Sequence, residues 1–150
     1  KMVASMTTLN RKAAEIIQDI GVHACTDITG FGLIGHAYEM AKAGGCAFCF
    51  NSAAVPVFPE ALEYARMGLV PGGSHSNRSF YEPFVEYREP VSDELRDILY
   101  DPQTSGGLLF SVAENKKDAL LKKFRKEKVD AFVVGRVENK PKGKIIIAGC

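Results

Sequence analysis

Residues 26–41 read TDITGFGLIGHAYEMA, in which Gly30, Gly32 and Gly35 follow the spacing G-x-G-x-x-G. The residues just before this motif alternate in polarity as a strand does, and a helical pattern occupies residues 31–43. A glycine turn between a strand and a helix is a unit in which backbone amides can receive a phosphate group. The stretch therefore predicts an α/β fold and suggests a nucleotide site.

The surrounding residues argue against a dinucleotide site. The dinucleotide fold needs an apolar strand up to the turn and an acidic residue about 20 positions later that binds the ribose. Here the approach to the turn is polar and contains Asp27, the next predicted strand ends at Asn51, and the first acid after that strand is Glu60. The sequence therefore disfavours an NAD-dependent dehydrogenase.

Four residues of this turn are candidates for binding nucleotide phosphates together with a metal ion. Gly30 and Gly32 allow the backbone to approach a phosphate closely, and Thr29 adds a hydroxyl group. Asp27 would repel phosphate unless a cation lies between them, and Mg²⁺ is bound in this way by one or two carboxylates and substrate phosphates. The alternative is structural: Asp27 caps the turn, and the glycines permit close packing.

A second turn of similar composition, DPQTSGG, follows at residues 101–107. Its hydroxyl-bearing and glycine residues are further candidates for phosphate binding: Thr104, Ser105, Gly106 and Gly107. We expect the two turns to lie at neighbouring edges of one sheet. No Walker A sequence accompanies them, which disfavours a P-loop NTPase.

The rest of the chain predicts further helices and strands. We expect helices over residues 8–20 with Thr8 as the cap, from near Pro59, over 93–100 with Ser92 as the cap, and over 115–128. We expect strands over residues 46–51, 108–113, 131–138 and 144–149. Residues 70–87 (VPGGSHSNRSFYEPFVEY) predict an irregular stretch. The order α-β-α-β-α-α-β-α-β-β indicates one layered α/β domain with four or five strands.

Length and composition limit the class of protein. A chain of 150 residues with 46% hydrophobic and 25% charged residues is typical of one globular domain. Its net charge of +1 gives no general attraction for nucleic acid or anionic membranes, and no apolar run approaches the roughly 20 residues that span a bilayer. The 4 cysteines are irregularly spaced, so we expect a reducing, cytoplasmic setting.

Several other residues have both a chemical and a structural interpretation. Cys46 and Cys49 resemble half of a zinc site, but residues three apart in a strand face opposite sides, so we expect buried hydrophobic residues. His36 is expected to pack or to lie on the helix surface, with a substrate contact as the alternative. His75 and Arg78 lie in the polar stretch, where Arg78 is a candidate for phosphate binding and a solvated loop is the alternative.

Three segments together resemble one enzyme family: TDITGFGLIGH at residues 26–36, VPGGSHSNR at 70–78 and DPQTSGGLL at 101–109. In this order and spacing they are similar to the C-terminal domain of bacterial selenophosphate synthetase (selenide, water dikinase). The resemblance covers nearly the whole chain. The wider superfamily includes aminoimidazole ribonucleotide (AIR) synthetase and thiamine monophosphate kinase. It shares the architecture but not the combination of the first and third motifs.

The resemblance implies an enzyme that converts ATP, selenide and water to selenophosphate, AMP and phosphate with Mg²⁺ as cofactor, in the supply of selenium for selenocysteine. It implies a three-layer α/β/α domain with a mixed sheet, like the AIR synthetase C-terminal domain and partly ferredoxin-like. In the family, the N-terminal domain supplies the glycine-rich segment, the reactive Cys or selenocysteine, a Lys, most metal-binding aspartates and the dimer contacts. To this chain the resemblance assigns one metal ligand, Asp27.

Two other functions stay open at this stage: another ATP-dependent synthetase or kinase of the same superfamily, and a binding module without chemistry. Because the chain begins at Lys1 and enters a helical pattern at once, we expect it to be a piece of a longer protein. We expect it to act with its own N-terminal domain in a homodimer, without nucleic acid or membrane partners.

Overall fold

The computed structural model describes residues 2–148, which contain both helices and strands. The helices are α1 (Met2–Thr7), α2 (Arg11–Ile20), α3 (Gly32–Gly44), α4 (Pro59–Arg66), α5 (Gly72–Tyr81), α6 (Asp93–Leu99) and α7 (Lys117–Lys126). The strands are β1 (Ala24–Asp27), β2 (Ala47–Phe50), β3 (Val85–Tyr87), β4 (Leu108–Ser111), β5 (Gly135–Glu138) and β6 (Lys144–Ile147). Within this range, every helix is too short or too polar to span a bilayer.

The strands of the described range form two sheets. β1 and β4 pair antiparallel in a two-stranded sheet, with Asp27 opposite Leu108 at one end. The other four strands form a mixed sheet in the order β3-β6-β2-β5, in which β6 runs parallel to β2 and β3 while β5 is antiparallel to β2. The predicted α/β class with a mixed sheet is confirmed. The predicted number of four or five strands is wrong, because β3 was not anticipated.

The two-stranded sheet lies between two helical layers. Leu108 and Phe110 of β4 face α2 and α7, whereas Leu109 between them packs against the core that α3 shares with the mixed sheet. This follows from the alternation of side chains along a strand. Helices therefore flank the small sheet on both sides, as the three-layer α/β/α expectation requires, and the mixed sheet packs on the far side of α3.

The cysteine pair lies on opposite faces of the mixed sheet. Cys46 packs against the core next to α3, whereas Cys49 is 1% exposed in a small cluster with Ala47 and Ile146 on the other face. The opposite orientation expected from the sequence is confirmed, but Cys46 directly precedes β2 and is only partly buried, whereas the sequence predicted that both would be buried in the strand. A zinc ion needs its thiolate ligands about 2.3 Å away on converging directions, which this arrangement does not provide.

We therefore expect protein purified without added zinc to carry no structural zinc on Cys46 and Cys49. Metal analysis of the purified chain measures this directly, and Cys46→Ser should leave both metal content and melting temperature nearly unchanged. About one equivalent of zinc per chain, retained under mild chelation and lost in Cys46→Ser, would show that the argument from strand geometry is incorrect.

Residues 70–87 are not irregular, which corrects the sequence-based expectation. They contain α5, a 3₁₀ turn at Glu82–Phe84 and β3. Gly, Ser and Asn have weak intrinsic helix propensity, but α5 buries Ser74 and Tyr81 against the rest of the fold. Burial of a helix face against α3 and α6 therefore decides the conformation of this segment.

Thr8 does not cap α2, which begins at Arg11 rather than near residue 8. The hydroxyl of Thr8 instead donates to the carbonyl of Ala4 at 2.7 Å at the end of α1. Asn10 occupies the capping position without a side-chain cap, and its Nδ2 donates to the carbonyl of Gly106 at 2.9 Å. A long-range contact has replaced the local cap, and it ties the start of α2 to residues 101–107.

Candidate metal and phosphate site

The first glycine turn (residues 27–32) and the second glycine turn (residues 101–107) lie side by side at one end of the two-stranded sheet. The amide of Ile28 donates to the Gly107 carbonyl at 2.9 Å, and the amide of Gly106 donates to the Ile28 carbonyl at 3.0 Å. The expected proximity of the turns is confirmed, although they meet at an end of the small sheet rather than at neighbouring edges of a larger one. One surface therefore carries the candidate residues of both turns.

Some of the glycines are required by the packing of the protein itself. Gly32 has a φ of +68°, and a Cβ there would lie 2.7 Å from the carbonyl carbon of Tyr100. A Cβ on Gly106 would lie 2.4 Å from the carbonyl oxygen of Ile28. Gly35 is crowded by side chains in the same way. At these three positions the structural interpretation, close packing, accounts for the glycine.

Gly30 and Gly107 are different: apart from adjacent residues, no atom of the described range lies within 4 Å of a Cβ built on either of them, and neither φ is positive. Packing within the described part of the chain does not require a glycine at these positions. Their bare backbone faces open space on the surface shared by the two turns. Thr104 and Ser105 of the second turn are exposed beside them, with Ser105 at a φ of 54°. This open backbone is where a phosphate group can approach.

Thr29 is held in place by His36 of α3. The Thr29 amide donates to Nε2 of His36 at 3.0 Å, and the Thr29 hydroxyl oxygen lies 3.1 Å from the same nitrogen. The hydrogen bond from the Thr29 amide requires the tautomer of His36 that carries its hydrogen on Nδ1. The Thr29 carbonyl accepts from the amides of Gly32 and Gln103, each at 3.0 Å. His36 thus orders the turn, a role that the sequence did not indicate.

Asp27 ends β1 as an exposed residue at the edge of the first glycine turn. No hydrogen bond or ion pair engages its carboxylate within residues 2–148, so it does not accept from the turn amides as a capping acid would. Its charge acts on the neighbouring Cys25, whose thiol pKa is raised first by burial and second by Asp27. The carboxylate is available to a cation.

Asp27 can supply one ligand but not a complete metal site. The described range contains no group of three or more His, Cys, Asp or Glu residues that could hold a metal ion. Asp101 of the second turn is half-buried and accepts from the Ser74 hydroxyl at 3.0 Å; burial raises the pKa of Asp101, and this hydrogen bond opposes the rise. Since Mg²⁺ usually binds through one or two carboxylates with phosphates and waters, Asp27 fits a site completed by groups outside this range.

Helix α5 borders both turns, and the sequence-based interpretation missed this contribution. Nδ2 of Asn77 donates to the carbonyls of Gly30 and Tyr100, each at 2.9 Å. A Cβ on Gly73 would lie 2.8 Å from the ring of Pro102, which shows how closely the start of α5 approaches the second turn. Pro71 directly before the first helical residue was the available signal for a helix start.

Arg78 is engaged by carboxylates of the chain itself. Its guanidinium lies 3.2 Å from Asp97 of α6 and 3.3 Å from Glu82, with Asp93 at 3.9 Å. Burial, the largest single contribution, lowers the pKa of Arg78, but the charges and hydrogen bonds of Glu82 and Asp97 together outweigh it and raise the pKa. The arrangement favours a role in joining α5 to α6 over the phosphate contact expected for Arg78 from the sequence.

The fold and the two turns define a class of protein. The chain belongs to the family described as AIR synthase related protein, C-terminal domain, whose family model matches residues 1–148. Its relatives include the selenide, water dikinase of Pelobacter propionicus, 47% identical over 148 residues, which are 98% of this chain and 42% of the relative. That of Caldanaerobacter subterraneus subsp. tengcongensis is 46% identical over 146 residues, again 42% of its length. The resemblance inferred from the motifs is confirmed. The chain spans less than half of the length of these relatives.

Solved structures with the same fold include those of two other proteins. Hydrogenase maturation protein HypE aligns with a TM-score of 0.57 and 21% identity over 93% of this chain and 38% of HypE. Thiamine-monophosphate kinase from Stenotrophomonas maltophilia aligns with a TM-score of 0.53 and 16% identity over 85% of this chain and 32% of the kinase. At these identities the likeness shows a shared fold.

Proposed function

We propose that this chain is the C-terminal part of a selenide, water dikinase and that it contributes one metal ligand and a phosphate-facing surface to the active site. The observation that carries the proposal is the shared surface of the two glycine turns. On that surface Gly30 and Gly107 lie open, and the carboxylate of Asp27 has no partner among the described residues. The proposed reaction is the one named in the relatives called selenide, water dikinase.

The reaction consumes ATP, selenide and water and yields selenophosphate, AMP and phosphate. Phosphoryl transfer depends on positioning and on stabilising the charge of the phosphate oxygens. Asp27 is the residue of this chain that would hold Mg²⁺, and the ion, when bound, would neutralise part of that charge. The open backbone at Gly30 and Gly107 and the hydroxyls of Thr104 and Ser105 face the phosphates, while Thr29 is ordered by His36.

The remaining parts of the site come from the protein's own N-terminal domain. One exposed carboxylate leaves most of the coordination sphere of Mg²⁺ to other groups, and in the family the reactive Cys or selenocysteine belongs to the N-terminal domain. We therefore propose that the N-terminal domain brings the nucleophile and further carboxylates, and that the intact enzyme is a cytoplasmic homodimer.

The experiment compares this chain with the intact protein. We expect the isolated chain to show no selenide-dependent turnover of ATP, because a single candidate metal ligand does not make a complete Mg²⁺ site. The intact protein should form AMP and selenophosphate when selenide is added. Formation of selenophosphate by the isolated chain would contradict the division of the site. If the intact protein phosphorylates another acceptor but not selenide, that result would identify it as a different kinase or synthetase of the superfamily.

A further inference from the structure

Asn77 is the one side chain of α5 that hydrogen-bonds both to the first glycine turn and to the entrance of the second, among the described residues. Its Nδ2 donates to the Gly30 carbonyl and to the carbonyl of Tyr100, the residue before the second turn. A primary amide has two N–H groups, and both are used in these 2.9 Å contacts. Asn77 therefore joins backbone segments that are 47 and 23 residues away from it in sequence.

The Gly30 carbonyl is the group in the first turn that most needs an external partner. Gly30 has no side chain and no crowding neighbour, so the peptide that links it to Phe31 can rotate at low energetic cost. The peptides on either side of Thr29 are already fixed. His36 holds the Thr29 amide, and the amides of Gly32 and Gln103 hold the Thr29 carbonyl. Asn77 fixes the next peptide along the chain, which links Gly30 to Phe31.

We propose that Asn77 is a positioning residue that keeps the Gly30–Phe31 peptide oriented for binding phosphate. In a trans peptide the C=O and the N–H point in opposite directions. The Gly30 carbonyl points towards α5, where it accepts a hydrogen bond from Asn77. The Phe31 amide therefore points away from α5 at the start of α3. No described residue accepts a hydrogen bond from this amide. The inference rests on the proposed function, since it assigns the oriented amide to the phosphates of the same site.

The test uses the intact enzyme with Asn77→Leu, which keeps the branching at Cγ but removes both donors. We expect kcat for selenide-dependent AMP formation to fall at least about tenfold at a temperature well below the melting point of the variant. Asn77→Ser keeps a shorter donor and should retain intermediate activity. Ser79→Ala, an exposed position on the same helix, serves as the control and should keep normal kcat and stability.

A purely structural role for Asn77 predicts a different pattern. Asn77→Leu would then melt at a lower temperature but keep normal kcat while folded, and this result would overturn the inference. If Asn77→Leu does not fold, the kcat of Asn77→Ser decides the question by the same criterion. Asp27→Asn in the same assay separates this inference from the proposed function. Full activity of Asp27→Asn contradicts the metal site itself, whereas loss in Asp27→Asn with normal kcat in the Asn77 variants contradicts the inference alone.

Discussion

Replacing Asp27 with asparagine in the intact enzyme is expected to lower turnover by at least about a hundredfold, roughly 2.7 kcal/mol in the activation barrier. Asparagine preserves the shape of the side chain but removes the charge, which weakens the binding of a hard cation and leaves the phosphate charge less well balanced. The carboxylate of Asp27 makes no hydrogen bond or ion pair with described residues, so stability should change little. Steady-state assays at several Mg²⁺ concentrations, with thermal melting of the isolated chain, measure both effects.

Two further observations make this prediction specific to the metal role. The concentration of Mg²⁺ that gives half-maximal activity should rise in Asp27→Asn if any activity remains. Asp130→Asn, which removes the charge of an exposed acid elsewhere in the chain, should behave as the wild type. Near-normal turnover together with a clearly lowered melting temperature in Asp27→Asn would mean that Asp27 is structural.

The second large effect is expected for stability at Gly32. Gly32→Ala places a side chain at a φ of +68° and within 2.7 Å of the Tyr100 backbone. The left-handed conformation alone costs about 1–2 kcal/mol, and relief of the backbone clash adds to it. We expect a total loss of at least about 3 kcal/mol in the free energy of unfolding, which lowers the melting temperature by roughly 6–12 °C. Denaturant titration and thermal melting of the chain measure this loss.

Gly30→Ala is the matched control, because the two glycines are two residues apart and only one is crowded. Apart from its neighbours in the chain, no described atom lies within 4 Å of a Cβ at Gly30, so the free energy of unfolding of Gly30→Ala should change by less than about 1 kcal/mol. If phosphate approaches this backbone, Gly30→Ala in the intact enzyme should still lower kcat/KM for ATP at least about tenfold. Equal destabilisation by both substitutions would refute the distinction between glycines that close packing requires and glycines that face open space.

Local signals in the sequence located most helices and strands correctly. Ser92 accepts from the amide of Leu95 at 3.3 Å at the start of α6, and Pro59 is the first residue of α4. Gly45 ends α3 in the left-handed conformation. Caps, prolines and terminal glycines act on residues within one turn of themselves, so their effect can be recognised without the fold. For the same reason the strand, the turn and the helix around Asp27 were predicted together.

The elements that were missed depend on contacts between distant parts of the chain. The composition of α5 disfavours a helix, and the segment is helical because Ser74 and Tyr81 are buried against other elements. The ion pair of Arg78 with Asp97 of α6, at 3.2 Å, was also not anticipated. Neither contact can be predicted from a short window of sequence, because the residues that make it belong to separate helices and strands.

The sequence by itself determined the class of fold, the two glycine turns and the exposed acid that precedes the first of them. Only the tertiary structure decided what each glycine does. Gly32 is packed against Tyr100 and Gly106 against Ile28, whereas Gly30 and Gly107 remain open. A glycine carries the same local signal in both situations, since its conformational freedom is intrinsic to the residue. The space around it is set by backbone that the fold brings from elsewhere in the chain, and that space separates a packing position from one that a ligand can reach.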